Sequence, residues 1–287
     1  MKATFQGLNS MYRRIPRKNL QAFGLALARA ALLLAYLFPI VWVFLTSIKP
    51  PILTVTPKPV WIFQPTLVSY QALFRKYDFG RFISNSLTIA FWSTLITTAL
   101  STTAAYALSR HAIRRRDDIA FWILSTRMLP PIASVLPVFI LMRTWGLLDT
   151  KLSMIVMYSV FNIPLSVWII KAFMAQLPKE LEEAALVDGC SVLRAFTRIA
   201  LPLSLPGIVA AATLTFILAW NEFTFALVLA QMKAKTFPVA IAGFQAKHGL
   251  FLGELSAGAI VGTLPILVVA LLLGRYIVAG LTVGALK

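Results

Sequence analysis

The sequence predicts an all-α, polytopic membrane protein with six transmembrane helices and a helical hairpin on its cytoplasmic side. Of its 287 residues, 59% are hydrophobic and 13% charged, against about 25% charged in an ordinary soluble domain, and the mean hydropathy is +0.81. The few charges are also unevenly placed. Six stretches long enough to span a bilayer carry no charge or one, where about 20 apolar residues suffice to cross and a central charge costs several kcal/mol. A soluble globular enzyme is excluded on these grounds.

In chain order the predicted spans are 24–47, 84–109, 119–142, 152–173, 206–231 and 256–275. The third holds Arg127 as its only charge and contains Pro130, Pro131 and Pro137, so a straight helix is not expected there. The fifth holds only Glu222, and Pro206-Gly207 opens it, because proline is tolerated in a first helical turn. The first span is too long an apolar run for the 7–15-residue core of a signal peptide and reads as a retained helix.

Orientation follows from the bases, because translocation of positive charge is resisted. With the N-terminus inside, 15 bases lie on the cytoplasmic side: five in 1–22, four in 110–116, four in 171–198 and two in 275–287. Ten lie outside, five of them in the long 49–81 segment where charge counts for less. Both termini are therefore expected in the cytoplasm. The formal net charge of +17 is read as topology and contact with anionic headgroups, not as nucleic-acid binding. One cysteine, Cys190, and two histidines, His111 and His248, leave no disulfide framework and little for metal or acid–base chemistry. No Gly-x-x-x-x-Gly-Lys phosphate loop is present, so nucleotide-driven work would need a partner.

Between spans four and five, Pro178 to Pro206 is longer than a turn requires and is where acids cluster. Lys179 to Asp188 are good helix formers with acids in the first turn, Gly189 suits the left-handed position after a helix, and Ser191 suits the N-cap of a second helix over Val192–Ile199. Leu201-Pro202 is expected to turn the chain back to the membrane. A helical hairpin beneath the bilayer results, with a small mixed face of Ala184, Ala185, Leu186 and acids suited to a groove on another protein. An amphipathic helix lying at the headgroups is the plainer alternative, and the excess of acid over base in this helix argues against it.

Glu183-Ala184-Ala185, three residues, Gly189, nine residues, Ile199, one residue and Leu201-Pro202 together resemble the EAA loop of permease subunits of binding-protein-dependent ABC importers. Asn85-Ser86-Leu87, Ala105 through Arg110, Trp220-Asn221-Glu222 and Ala279-Gly280-Leu281-Thr282 extend the resemblance to the carbohydrate-uptake branch, in particular to the six-span inner-membrane subunit of maltose-type systems. Arg127-Met128-Leu129-Pro130-Pro131 is reminiscent of permeases for polyols. The resemblance implies a non-catalytic subunit of the bacterial inner membrane, paired with a second permease subunit, two ATPase subunits and a periplasmic solute-binding protein. The cargo would be a sugar or polyol. ATP and Mg would be held by the ATPase subunits, with no cofactor or metal on this chain. The hairpin becomes a coupling helix, with Glu183, Ala184, Ala185, Asp188, Gly189, Ile199, Leu201 and Pro202 as its coupling residues. The implied organisation is a cytoplasmic segment 1–23, a permease domain 24–275 with the EAA loop at 176–205 and a periplasmic loop at 232–255, and a cytoplasmic tail 276–287.

For the cargo path the residues leave alternatives open. Arg127 and Glu222, as intramembrane charges, either pair with each other or face water. Trp220, Asn221 and Glu222 either line a wet path, with rings against sugar faces and polar groups on hydroxyls, or hold helices together. Asn162, before Pro164, admits the same two roles. Ser93, Thr97, Thr98 and Ser101 read as small packing residues. In the outer segment after Met232, Gln245 either touches the binding protein, as its position in the resemblance implies, or sits on a plain surface loop.

Overall fold

The structure, a computed structural model, describes residues 17–248 and 251–283. Among them every regular element is helical: α1 (Arg17–Ser47), α2 (Pro51–Thr54), α3 (Val68–Arg75), α4 (Phe79–Arg110), α5 (Arg116–Ser125), α6 (Pro131–Thr144), α7 (Lys151–Met174), α8 (Glu180–Val187), α9 (Val192–Ala195), α10 (Leu201–Leu203), α11 (Leu205–Trp220), α12 (Thr224–Leu229), α13 (Phe237–His248) and α14 (Leu252–Val283). Four segments, Gly24–Ser47, Phe79–Arg110, Lys151–Met174 and Leu252–Gly274, are long and apolar enough to cross a bilayer unaided. The number rises to six if each of two bent helix pairs is one span.

The central pair is α4 against α7, and its glue is small and polar. Thr97 donates to the Ser159 carbonyl (3.5 Å), Ser101 to the Ile163 carbonyl (3.3 Å) and Ser159 to the Ser93 carbonyl (3.3 Å). Ser166 on α7 meets Thr215 on α11 at 2.8 Å. Lipid offers no hydrophobic drive between helices, so close backbone approach and hydrogen bonds must supply it. Gly207 serves the same purpose: a Cβ there would run into the Phe173 ring. By contrast α1, packed along α14, leaves Leu25, Leu33, Tyr36 and Phe38 exposed, as a helix facing lipid or another subunit does.

Two predicted spans are not continuous helices. In the third, α5 and its closing 3-10 turn (Thr126–Met128) meet α6 at 88°. Pro130 has no N–H and forces Leu129 into an extended conformation (φ −66°, ψ 120°), and Pro131 then starts α6. In the fifth, α11 opens at Leu205-Pro206 as expected but ends at Trp220. Asn221 to Phe223 break it, and α12 begins with the Glu222 carboxylate accepting from the N–H groups of Phe225 (2.9 Å) and Ala226 (3.2 Å), groups that no helical carbonyl reaches.

The return to the membrane also falls elsewhere than expected. Leu201-Pro202 does not turn the chain. A π turn over Phe196–Ala200 lets the Leu201 N–H reach the Phe196 carbonyl, Pro202 has no N–H to place, and the helix continues to Leu203. The 72° bend comes at Ser204, between Val192–Leu203 and Leu205–Trp220. Beyond α12, the predicted outer loop 232–255 is largely helical, since α13 occupies Phe237–His248 and α14 starts at Leu252.

Candidate functional site

The hairpin is built as its residues suggest. Gly189 takes φ +85°. Its N–H reaches the Leu186 carbonyl (3.1 Å) and the Cys190 N–H reaches the Ala185 carbonyl (2.9 Å), the paired closure of a Schellman motif. Asp188 is the C-cap, and Ser191 accepts from the Arg194 N–H at 3.3 Å to cap α9. The second limb packs on the bundle: Ala200 is buried, and Phe196 and Leu201 lie against Tyr106, Ile170 and Met174. Ile199 is half-buried and Pro202 exposed. On the first limb Glu183, Ala184 and Asp188 are exposed and Ala185 is buried. Leu181, Leu186, Val187 and Leu193 add an apolar exposed face.

The acid that binds the hairpin to the membrane helices is Glu182, which sequence reasoning passed over in favour of Glu183. Its Oε1 accepts from Arg110 Nε at 2.7 Å and its Oε2 from Tyr106 at 2.8 Å. Arg110 also donates to the Leu177 carbonyl. A signal was available: Tyr106 and Arg110 stand four apart on one helix face, at the end nearest a run of acids.

Arg127 and Glu222 face one cavity of about 270 Å³ without pairing. Among the described residues no ion pair joins them. The Arg127 guanidinium donates to the Phe161 carbonyl and to Asn162 Oδ1 (3.2 Å), while Asn162 donates to the Tyr158 carbonyl at 2.8 Å. Glu222 is held by the first turn of α12. Tyr158, Phe161 and Phe225 also line the cavity, with Leu129, Pro131 and Leu218. Both helix breaks border this space, where irregular backbone at membrane depth is tolerated. Trp220 is not part of it. Its side chain is 2% exposed, its Nε1 donates to the Gly262 carbonyl at 3.1 Å, and it stacks on Phe237, so it is a core residue. Asn221 is exposed and donates back to the Ile217 carbonyl.

On the other face, Asp149 is a second acid that sequence reasoning missed. Its carboxylate accepts from the N–H groups of Met232 (2.9 Å), Lys233 (2.8 Å) and Ala234 (3.1 Å). Burial pushes its carboxyl up, but these three donors and the nearby Lys233 charge outweigh that and hold it below its ordinary value. Asn85 fixes the same strand of chain by donating to the carbonyls of Lys233 and Lys235, both at 3.0 Å, and Ser86 accepts from the Phe237 N–H. Gln245 falls within α13, and its side chain lies outside the described residues.

Against known proteins, residues 101–283 match the family described as binding-protein-dependent transport system inner membrane component. The chain is 37% identical over 88% of its length, and 91% of the relative's, to the probable ABC transporter permease protein y4oR of Sinorhizobium fredii. It is likewise 37% identical, with the same coverage, to the trehalose/maltose transport system permease protein MalG of Thermococcus litoralis. Among solved structures, a chain of a bacterial ABC transporter involved in the import of the acidic polysaccharide alginate is similar with a TM-score of 0.76 and 20% identity, over 91% of this chain and 98% of that one.

Proposed function

The chain belongs to the family of inner-membrane components of binding-protein-dependent transport systems, and from that premise we propose that it is the transmembrane permease subunit of an ATP-driven importer for a carbohydrate. In this reading a periplasmic binding protein delivers a sugar or polyol, a second permease subunit completes the pathway, and two ATPase subunits hold ATP and Mg and do the chemistry. Relatives named for trehalose and maltose support the carbohydrate cargo. Residues 24–275 form the permease domain, with α1, α4, the α5–α6 pair, α7, α11 with α12, and α14 as six spans, and the segments 1–23 and 276–287 lie in the cytoplasm of a bacterial cell.

One observation carries the coupling role: the hairpin is two-sided. Glu182 grips the end of α4, while Glu183 and Val187, four apart on a different face of α8, are exposed. A helix held from behind with a free mixed face is the arrangement that helix-in-groove docking requires. Closure of the ATPases on ATP then pulls α8, and through Arg110 and Tyr106 the pull reaches α4. Arg127, Asn162 and Glu222 are the polar groups of the path, and alternating access opens their cavity to each side in turn.

Co-purification tests this. Val187→Asp and Gly189→Val are expected to strip the ATPase subunits from the chain while it still inserts and melts as a folded protein. Retention of those subunits by both variants, or carbohydrate uptake by liposomes holding this chain alone, would overturn the reading.

A further inference from the structure

Beside the hairpin, at the end of the bundle where α4 and α7 finish and α5 starts, lies a cavity of about 300 Å³. Its walls carry Arg110, Arg116, Lys171 and Lys179 against a single acid, Asp117. Asp117 is already committed, 2.8 Å from Lys171 and 3.8 Å from Arg116. Among the described residues Lys179 has no carboxylate within ion-pair distance. Arg110 carries the clearest sign. Its side chain is 7% exposed; Nε is taken by Glu182 and Nη2 by the Leu177 carbonyl, but Nη1 is buried with no partner among the described residues. A buried guanidinium donor without an acceptor is a cost, and a bound anion is one of the groups that relieves it.

We propose that this cavity binds the phosphate of an anionic phospholipid. A phosphate presents several acceptor oxygens on a compact anion, which suits a guanidinium edge flanked by flexible ammonium groups. The position selects the source. Arg110 ends α4, Lys171 stands in the last turn of α7 and Arg116 opens α5, so the basic wall sits where three membrane segments leave the hydrocarbon, level with headgroups. Free inorganic phosphate shares the chemistry but not the location. Arg110 lines this cavity and is also the residue that fixes the hairpin to α4, so a bound lipid steadies that junction. This site is independent of which cargo the chain moves.

The test uses the full chain, with the subunits that accompany it, in nanodiscs of phosphatidylethanolamine with or without phosphatidylglycerol, and native mass spectrometry to count retained lipid. The wild type is expected to retain phosphatidylglycerol in preference to phosphatidylethanolamine. Arg116→Gln with Lys179→Gln is expected to weaken retention by about fivefold per base removed, at unchanged melting temperature. If the double variant does not assemble, Lys179→Gln alone carries the same expectation for one base. Equal retention of both lipids by the wild type, or unchanged phosphatidylglycerol retention in the variant, overturns the site. Displacement of the lipid by millimolar inorganic phosphate overturns the lipid as its occupant.

Discussion

Arg110 Nε and Glu182 Oε1 lie 2.7 Å apart with side chains 7% and 9% exposed, joining the end of α4 to the first turn of α8 across 72 residues of sequence. Tyr106, one turn earlier on α4, takes the other carboxylate oxygen. The first limb of the hairpin is therefore tied to α4 by a charge-assisted contact buried on both sides, while the second limb packs on the bundle.

Removing one partner of such a pair leaves the other buried and alone, a loss of about 3–5 kcal/mol. Glu182→Ala is expected to lower the melting temperature of the purified chain sharply. Glu182→Gln, which keeps an acceptor for Tyr106, is expected to lower it less, and exposed Glu183→Ala scarcely at all. Thermal unfolding of the three variants side by side checks the order.

Gly189 sits at φ +85° with open space around the position a Cβ would take. Substitution therefore strains the backbone without a clash, by about 1–2 kcal/mol for an ordinary residue. Asn, which tolerates the left-handed region, is expected to retain the ATPase subunits better than Val in a pull-down.

Trp220 and Asn221 are adjacent and opposite in consequence. Trp220→Ala empties a packed core site and removes the donor to Gly262, for about 3–5 kcal/mol, whereas Asn221→Ala removes an exposed amide. The melting temperature is expected to fall for the first and hold for the second.

Asp149 gives a pH dependence of known sign. Its folded carboxyl lies below the unfolded value of about 3.9, so its contribution is present above that value and lost as pH falls through the lower, folded one. A spin label at Met232→Cys, in a Cys190→Ser background, is expected to stay immobile at neutral pH and loosen only in strong acid. With Asp149→Asn it is expected to be mobile throughout.

Arg127 donates to Asn162 and shares a cavity with Glu222. Arg127→Met is expected to cut carbohydrate uptake tenfold or more while the subunits still assemble, read as transport per assembled complex. Arg127→Lys, with one point charge for a fork, is expected to recover only part of it.

What the sequence determined by itself was local or one-dimensional. Charge-free lengths located four helices able to cross a bilayer, and two further stretches that fold as bent pairs, because a span needs only length and apolarity. Gly189, Ser191 and Pro206 marked turn, cap and helix start because each acts through its own backbone and the next few residues. Ser93, Thr97 and Ser101 of the second span meet α7 as small packing residues, since size alone suits them to close helices.

What only the tertiary structure decided was which way side chains face. Glu182 and Glu183 differ by one position, about 100° around a helix, and nothing in their spacing says which side meets the bundle. Trp220 went to the core and Glu222 to a cavity because the helix breaks between them and each follows a different axis. Arg127 meets Asn162 and forms no ion pair with Glu222 because the turn that carries it, ahead of the Pro130 bend, packs on α7. Direction across a bundle is fixed by how helices pack and where they break, and that is a property of the whole fold.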